Sequence, residues 1–300
     1  MTDRGMPPTE QPNPASRNID ALPSREIVEL INAEDAGVAG AVGRELGAVA
    51  RVIDLAVERF RRGGRLFYVG CGTSGRLGVL DASECPPTFG TEPEQVQGII
   101  AGGPPALVRS SESKEDIAED GAAALAERGA TAADLVVGIA ACGLTPYVHG
   151  ALRRARILGC ATALVTCNAE LRGAEVDVVV APVVGPEVIT GSTRLKAGTA
   201  TKMVLNMITT GAMIRLGKCY GNLMVDVSAK SRKLRDRAVR IFRAVTDCAD
   251  DEAAWRCIQA AEGRVKTAVV MYRLGLDRAG AEARLERCGG SLRDALADAR

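Results

Sequence analysis

The chain has 300 residues, is 47% hydrophobic but only 3% aromatic, and carries a formal net charge of +1. So even a balance excludes the broad basic footprint of a nucleic-acid or anionic-membrane binder, and no apolar run has transmembrane length. A chain this long and apolar, rich in Ala, Val, Leu and Gly, supports a full core and suits a parallel sheet covered by helices.

In chain order, residues 1–17 are polar and proline-rich, without the apolar core of a signal peptide, and are expected to be a disordered lead. Helical periodicity covers 19–31 and 37–60, with Asp35 and Ala36 in the break. Arg61-Arg62-Gly63-Gly64 stops the second helix. Leu66-Phe67-Tyr68-Val69 suits a buried strand, and Gly70-Cys71-Gly72-Thr73-Ser74-Gly75-Arg76 turns it into a helix. That helix is expected to stop at Glu84-Cys85, because Pro86-Pro87 cannot continue it. A second strand lies within 96–101, and Ser111 and Ser113 can cap a helix reaching Arg128. Residues 135–140 form a third strand, followed by the loop Ala141-Cys142-Gly143-Leu144-Thr145 and by Pro146 in a first helical turn. A helix over 148–158 precedes strands at 161–166 and 176–181. Thr190-Gly191-Ser192-Thr193 opens a long helix through Lys196 and Lys202 to Leu216. Five helical pieces then make 238–300 a small helical C-terminal subdomain. Alternating strands and helices predict an α/β fold, a doubly wound five-stranded parallel sheet within 18–237.

Ligands of such sheets sit at the carboxyl ends of the strands, where 70–75 and 141–145 fall. The first turn aims free N–H groups and a positive helix end at one point, which makes an anion site. Gly70, Gly72 and Gly75 also match the dinucleotide fingerprint, but Gly102-Gly103-Pro104 stands where that reading needs an acidic residue. No Gly-Lys-Ser/Thr closes a nucleoside-triphosphate loop either. Gly72, Thr73, Ser74 and Gly75, with Thr145 from the second loop, point instead to a small phosphate ester. Nine cysteines without a C-x-x-C pair read as reduced thiols of a cytoplasmic protein, not as zinc ligands or disulfides.

Four blocks resemble the N-acetylmuramic acid 6-phosphate etherase family of the SIS (sugar isomerase) superfamily. They are Tyr68-Val69-Gly70-Cys71-Gly72-Thr73-Ser74-Gly75-Arg76-Leu77-Gly78, Asp81-Ala82-Ser83-Glu84-Cys85-Pro86-Pro87-Thr88, Thr190-Gly191-Ser192-Thr193-Arg194-Leu195-Lys196-Ala197-Gly198-Thr199-Ala200, and Gly221-Asn222-Leu223-Met224-Val225-Asp226. The glycine-rich block marks only the superfamily; the block around Glu84 is specific to the etherases and their close relatives. The resemblance runs from about residue 18 to the C-terminus. It implies a cytoplasmic, dimeric lyase of peptidoglycan recycling that needs neither metal nor nucleotide. Its reaction would split N-acetylmuramic acid 6-phosphate with water into N-acetylglucosamine 6-phosphate and D-lactate, by elimination across C2–C3 and then hydration. The second loop departs from the family pattern, with Cys142 in place of serine and Leu144 in place of arginine, and Cys288 stands where relatives often carry histidine.

Motif match carries the family's acid onto Glu84 and its second glutamate onto Glu115, with Glu112 as the rival. The single histidine, His149, reads as a structural helix residue, which leaves proton transfer to carboxylates. A Glu84 at the last turn of a helix, beside Cys85-Pro86-Pro87, is expected to favour its protonated form; a Glu115 in a first turn is expected to favour its charged form. Those preferences suit an acid for departing lactate and a base at C2. Ser192 and Lys196 are expected to meet a sugar hydroxyl or the lactyl carboxylate, and Glu187 to bond sugar. Ser74 and Glu84 lie ~15 Å apart along a helix, so the site is expected to be shared in a homodimer. Two other functions fit the superfamily: a non-catalytic sugar-phosphate sensor, and a sugar-phosphate isomerase. The first lacks a helix-turn-helix here, and the second is disfavoured by the Glu84 block.

Overall fold

The structure, a computed structural model, describes residues 6–109, 112–227 and 232–297. The chain passes through α1 (Ser24–Asp35), α2 (Val38–Gly43), α3 (Leu46–Arg61), β1 (Leu66–Gly70), α4 (Gly72–Phe89) and β2 (Val96–Ile100). Then come α5 (Ala118–Glu127), β3 (Leu135–Ile139), α6 (Pro146–Ile157), β4 (Ala161–Val165), β5 (Val178–Val180) and α7 (Lys196–Arg215). The helices α8 (Arg232–Thr246), α9 (Asp251–Ala260), α10 (Val265–Leu274), α11 (Arg278–Arg287) and α12 (Leu292–Ala297) follow.

The strands form one parallel sheet in the order β2-β1-β3-β4-β5, as the alternation of strands and helices predicts. Strands β1, β3 and β4 are buried along their whole length, which explains why they read as unbroken apolar runs. The chain leaves β1 for β2 on one side and returns to β3 on the other. The carboxyl ends of β1 and β3 are therefore the topological switch point, the usual ligand crevice of a doubly wound sheet.

The described residues divide into two compact units, Met1–Ser83 with Glu94–Thr209 and Glu84–Pro93 with Thr210–Arg300. The first holds the sheet and, on one face, a core of Phe67, Val69, Val136, Val148, Leu152 and Leu164. The second packs α8 to α12 around Phe242, Ile258, Val265 and Val269. Within it, buried Lys266 donates from Nζ to Asp226 Oδ2 at 2.7 Å, Gly290 O at 2.8 Å and Gly217 O at 3.0 Å. Burial pulls that ammonium below the ordinary lysine range even so. No described helix is long and apolar enough to cross a membrane.

Four local expectations are corrected. Helix α4 does not stop at Glu84-Cys85 but runs through Pro86 and Pro87 to Phe89. Proline's φ is helical, and the missing donors and ring clash cost about 3 kcal/mol; burial of Ala82, Cys85 and Phe89 on one face offsets this. The run 37–60 breaks between α2 and α3, because Glu45 turns inward and accepts from Arg172 Nη2 at 2.5 Å and Ala181 N at 3.2 Å. The helix expected from Ser113 starts only at Ala118, after a 3-10 turn at Glu112–Lys114; Ser111 lies outside the described residues. Finally, residues 6–17 are not a disordered lead. They form 3-10 turns at Pro8–Glu10 and Pro14–Ser16, with Thr9, Asn13 and Ser16 buried.

Candidate active site

Three stretches carry the expected phosphate ligands and the second glutamate to the switch point. The first is the turn from β1 into α4. A Cβ on Gly70 would lie 2.7 Å from Gly75 N, and one on Gly75 would lie 2.6 Å from Gly70 O. Only glycine at both positions lets the helix start this close to the strand end. Gly72 adopts φ +50°, a left-handed value that glycine takes without strain. Thr73 and Ser74 are half-buried in the first turn of α4, with the positive end of its dipole. Arg76 fastens the neighbouring loop, donating from Nε to Leu107 O at 3.1 Å.

The second stretch is the loop from β3 into α6. It is anchored by Cys167 N donating to Ala141 O at 2.8 Å, Asn168 Nδ2 to Cys142 O at 3.2 Å, and a 2.7 Å bond between His149 Nε2 and Gly143 O. His149 thus shapes the loop. Thr145 caps α6 by position but not by a side-chain bond, and its half-buried hydroxyl stands at the helix N-terminus. Cys142 is half-buried and Leu144 exposed.

The third is the turn before α5. Helices α5 and α6 touch backbone to backbone: a Cβ on Gly121 would lie 1.9 Å from Tyr147 O, and one on Gly150 would lie 1.9 Å from Ala118 O. Tyr147 N also donates to Glu115 O at 3.0 Å. This docking carries Glu115 to the first turn. Its Oε1 lies 3.4 Å from where a Cβ on Gly72 would stand. Contrary to expectation, Glu115 does not stand in the first turn of its own helix. Glu115 precedes α5, and the positive end that it faces is that of α4. Next to it, burial and then the charges of Glu115 and Asp116 push the Cys71 thiol up to about 12, so it is inert rather than nucleophilic.

Glu84 lies on α4, the helix that the first of these stretches opens. It is an exposed residue of α4, ten positions after Ser74 and inside the helix rather than at its last turn.

The start of α7 differs from expectation. Ser192 sits half-buried in a turn ahead of the helix, where Gly191 adopts φ +76°. Glu187, fully buried, does not face open space: its carboxylate caps α7, accepting from Lys196 N at 3.0 Å and Ala197 N at 2.9 Å. Burial pushes its carboxyl up, against the pull of those two N–H groups and of the Lys196 charge. Lys196 is itself 4% exposed and pairs with Glu34 at 2.5 Å. That bond, against burial, holds the Glu34 carboxyl below its usual range. Glu34 carries no motif; its place near the end of α1 gives no signal in sequence. The two helix starts nevertheless meet: a Cβ on Gly198 would lie 3.6 Å from Thr73 Cγ2.

A glycine-tight strand-to-helix turn at the switch point of a five-stranded parallel sheet, lined by hydroxyls, defines a sugar-phosphate domain of the SIS class. The model of the glucokinase regulatory protein N-terminal SIS domain matches residues 48–156. Among solved structures, phosphoheptose isomerase from Neisseria gonorrhoeae is 13% identical with a TM-score of 0.47, covering 62% of this chain and 96% of that one. Nearly full-length relatives narrow the class. The N-acetylmuramic acid 6-phosphate etherase of Synechocystis sp. is 52% identical over 297 residues, 99% of this chain and 97% of that protein. The one from Gloeobacter violaceus is 55% identical over the same shares, and the one from Photorhabdus laumondii is 49% identical over 97% of both chains. The chain belongs to the N-acetylmuramic acid 6-phosphate etherase family.

Proposed function

We infer that the protein cleaves the D-lactyl ether of N-acetylmuramic acid 6-phosphate, giving N-acetylglucosamine 6-phosphate and D-lactate in the cytoplasm. The observation that carries this reading is identity of about half the residues over almost the whole chain to etherases. In this reading the amides and hydroxyls of Gly72, Thr73, Ser74 and Gly75, with Thr145, hold the 6-phosphate against the α4 N-terminus. Glu115, beside Gly72, takes the proton from C2. Electrons move into a C2–C3 double bond as the C3–O bond breaks. Glu84 protonates the departing lactyl oxygen, and water then adds at C3. Each proton-transfer group is worth about 10²–10⁴-fold when well placed. Ser192 binds sugar, while Lys196 and Glu187 act by shaping the turn that carries it.

The reading also requires two chains. A hexose ring spans much less than the ~15 Å of helix between Ser74 and Glu84, so the acid comes from the partner of a two-fold homodimer, which builds two such sites at once. Leu80, one turn before Glu84 on the same face of α4, is 51% exposed, as expected of a surface that a partner covers.

The test is to incubate the protein with N-acetylmuramic acid 6-phosphate and assay D-lactate. Release is expected with this substrate, and none at ordinary concentrations once the 6-phosphate is removed. Equal turnover of the unphosphorylated sugar would overturn the phosphate site; no lactate from either would overturn the activity.

A further inference from the structure

The N-terminal segment packs against the turn that precedes α7. Gly191 N donates to Thr9 O at 3.1 Å, directly in the turn that carries Ser192. Glu10 lies against the same glycine: a Cβ there would stand 2.9 Å from Glu10 Oε2. Asn13 reaches further. Its Nδ2 donates to Glu34 Oε2 at 2.8 Å and to Pro186 O at 3.2 Å, while its Oδ1 accepts from Ala15 N at 2.9 Å. Glu34 Oε2 in turn accepts from Lys196 Nζ at 2.5 Å, and Lys196 N donates to Glu187. One amide thus touches both ends of the turn between Pro186 and Lys196, the first directly and the second through Glu34. Asn13 is the neutral donor that joins Pro186 to the charged Glu34–Lys196 pair.

We propose that residues 7–13 are a strap that positions the Ser192 turn for substrate, with Asn13 as the positioning residue acting through Glu34 and Lys196. This rests on the reading above that Ser192 binds sugar. Gly191 has a left-handed backbone, a conformation that glycine adopts without strain but does not itself enforce. The N–H bond to Thr9 and the Asn13 fork supply the missing constraint. The strap therefore removes an ordering cost that substrate would otherwise meet on binding.

The experiment pairs kinetics of lactate release with hydrogen exchange of residues 186–195, read by mass spectrometry. Asn13→Ala removes both functions of the side chain. Asn13→Asp keeps the acceptor that caps its own turn, loses the donor to Glu34 and Pro186, and sets a second carboxylate against Glu34. Both variants are expected to speed exchange in 186–195 and to raise KM about tenfold, the size of one hydrogen bond to a charged group, with kcat within about twofold. The proposal is overturned if exchange stays at the wild-type rate in both single variants. It is equally overturned if Asn13→Asp behaves as wild type, or if exchange speeds up with KM unchanged. If the wild-type protein releases no lactate, the functional reading falls, and the exchange arm still decides whether the strap holds the turn.

Discussion

Glu84 and Glu115 stand in different surroundings, and the proposed division of acid and base between them is open to a direct test. Glu115 lies beside Gly72 at the start of α4, where a carboxylate meets the positive end of a helix. Glu84 projects from an exposed position of the same helix. Glu115→Gln is expected to suppress exchange of the C2 proton with solvent. Glu84→Gln is expected to lower lactate release by about 10²–10⁴-fold while exchange continues, since another group takes that proton. Proton NMR in deuterated water separates the two; the reverse pattern swaps the roles. At this scale the sequence was legible where local geometry decides. Gly70, Gly72 and Gly75 are required by the close turn, and they stand in one stretch. It was not legible for Lys196 and Glu187. The partner of Lys196, Glu34, stands 162 residues away and leaves no trace in the local pattern.

Among the elements, the sheet depends on a carboxylate at the amino ends of β1 and β3, opposite the site. Asp134 accepts from Arg65 N at 2.7 Å, Arg65 Nη2 at 2.9 Å and Thr131 N at 2.7 Å, and its side chain is 2% exposed. Burial alone would raise its carboxyl, but Arg65 and the two N–H groups outweigh this and hold it below the ordinary value of 3.8. A lowered native pKa means that the unfolded state binds more protons in that window. The stabilisation is complete above about pH 4 and is lost as pH falls through the native value. Asp134→Asn is expected to lower the thermal midpoint at pH 7 and to flatten the acid limb of its pH profile below about 4. Asp134→Ala, which removes the acceptor of Arg65 N and Thr131 N while Arg65 keeps its bonds to Arg128 O and Gly129 O, is expected to cost about 1–3 kcal/mol. Parallel profiles for wild type and Asp134→Asn would refute this assignment. Here the sequence supplied Asp134 just before a strand, but not its register opposite Arg65.

For the whole molecule, the proposed sharing of the site between two chains makes the sharpest demand. Glu84→Ala and Gly72→Asp chains should each be inactive, the first for want of the acid and the second because a carboxylate occupies the phosphate turn. Mixed dimers of the two are expected to regain activity, since one of their two sites then draws an intact loop from one chain and an intact acid from the other. Titrating one variant into the other and following D-lactate measures it. Mixed dimers that form and stay inactive would place Glu84 and its phosphate loop in the same chain.

The sequence by itself determined the strands, the parallel pairing implied by their alternation with helices, and the two turns at the strand ends. Each of these follows from short-range causes: an apolar run that is buried on both faces, glycines that no side chain can replace, a proline at a first helical turn. Only the tertiary structure decided that α4 passes through Pro86 and Pro87, because the compensating burial of Cys85 and Phe89 is a property of the packed molecule. It also decided that residues 6–17, polar and proline-rich, are ordered. Composition argues against order there, since such a segment buries too little apolar surface on its own. Its hydrogen bonds go to Glu34, Pro186 and Gly191, and a partner 173 residues away leaves no trace in local pattern.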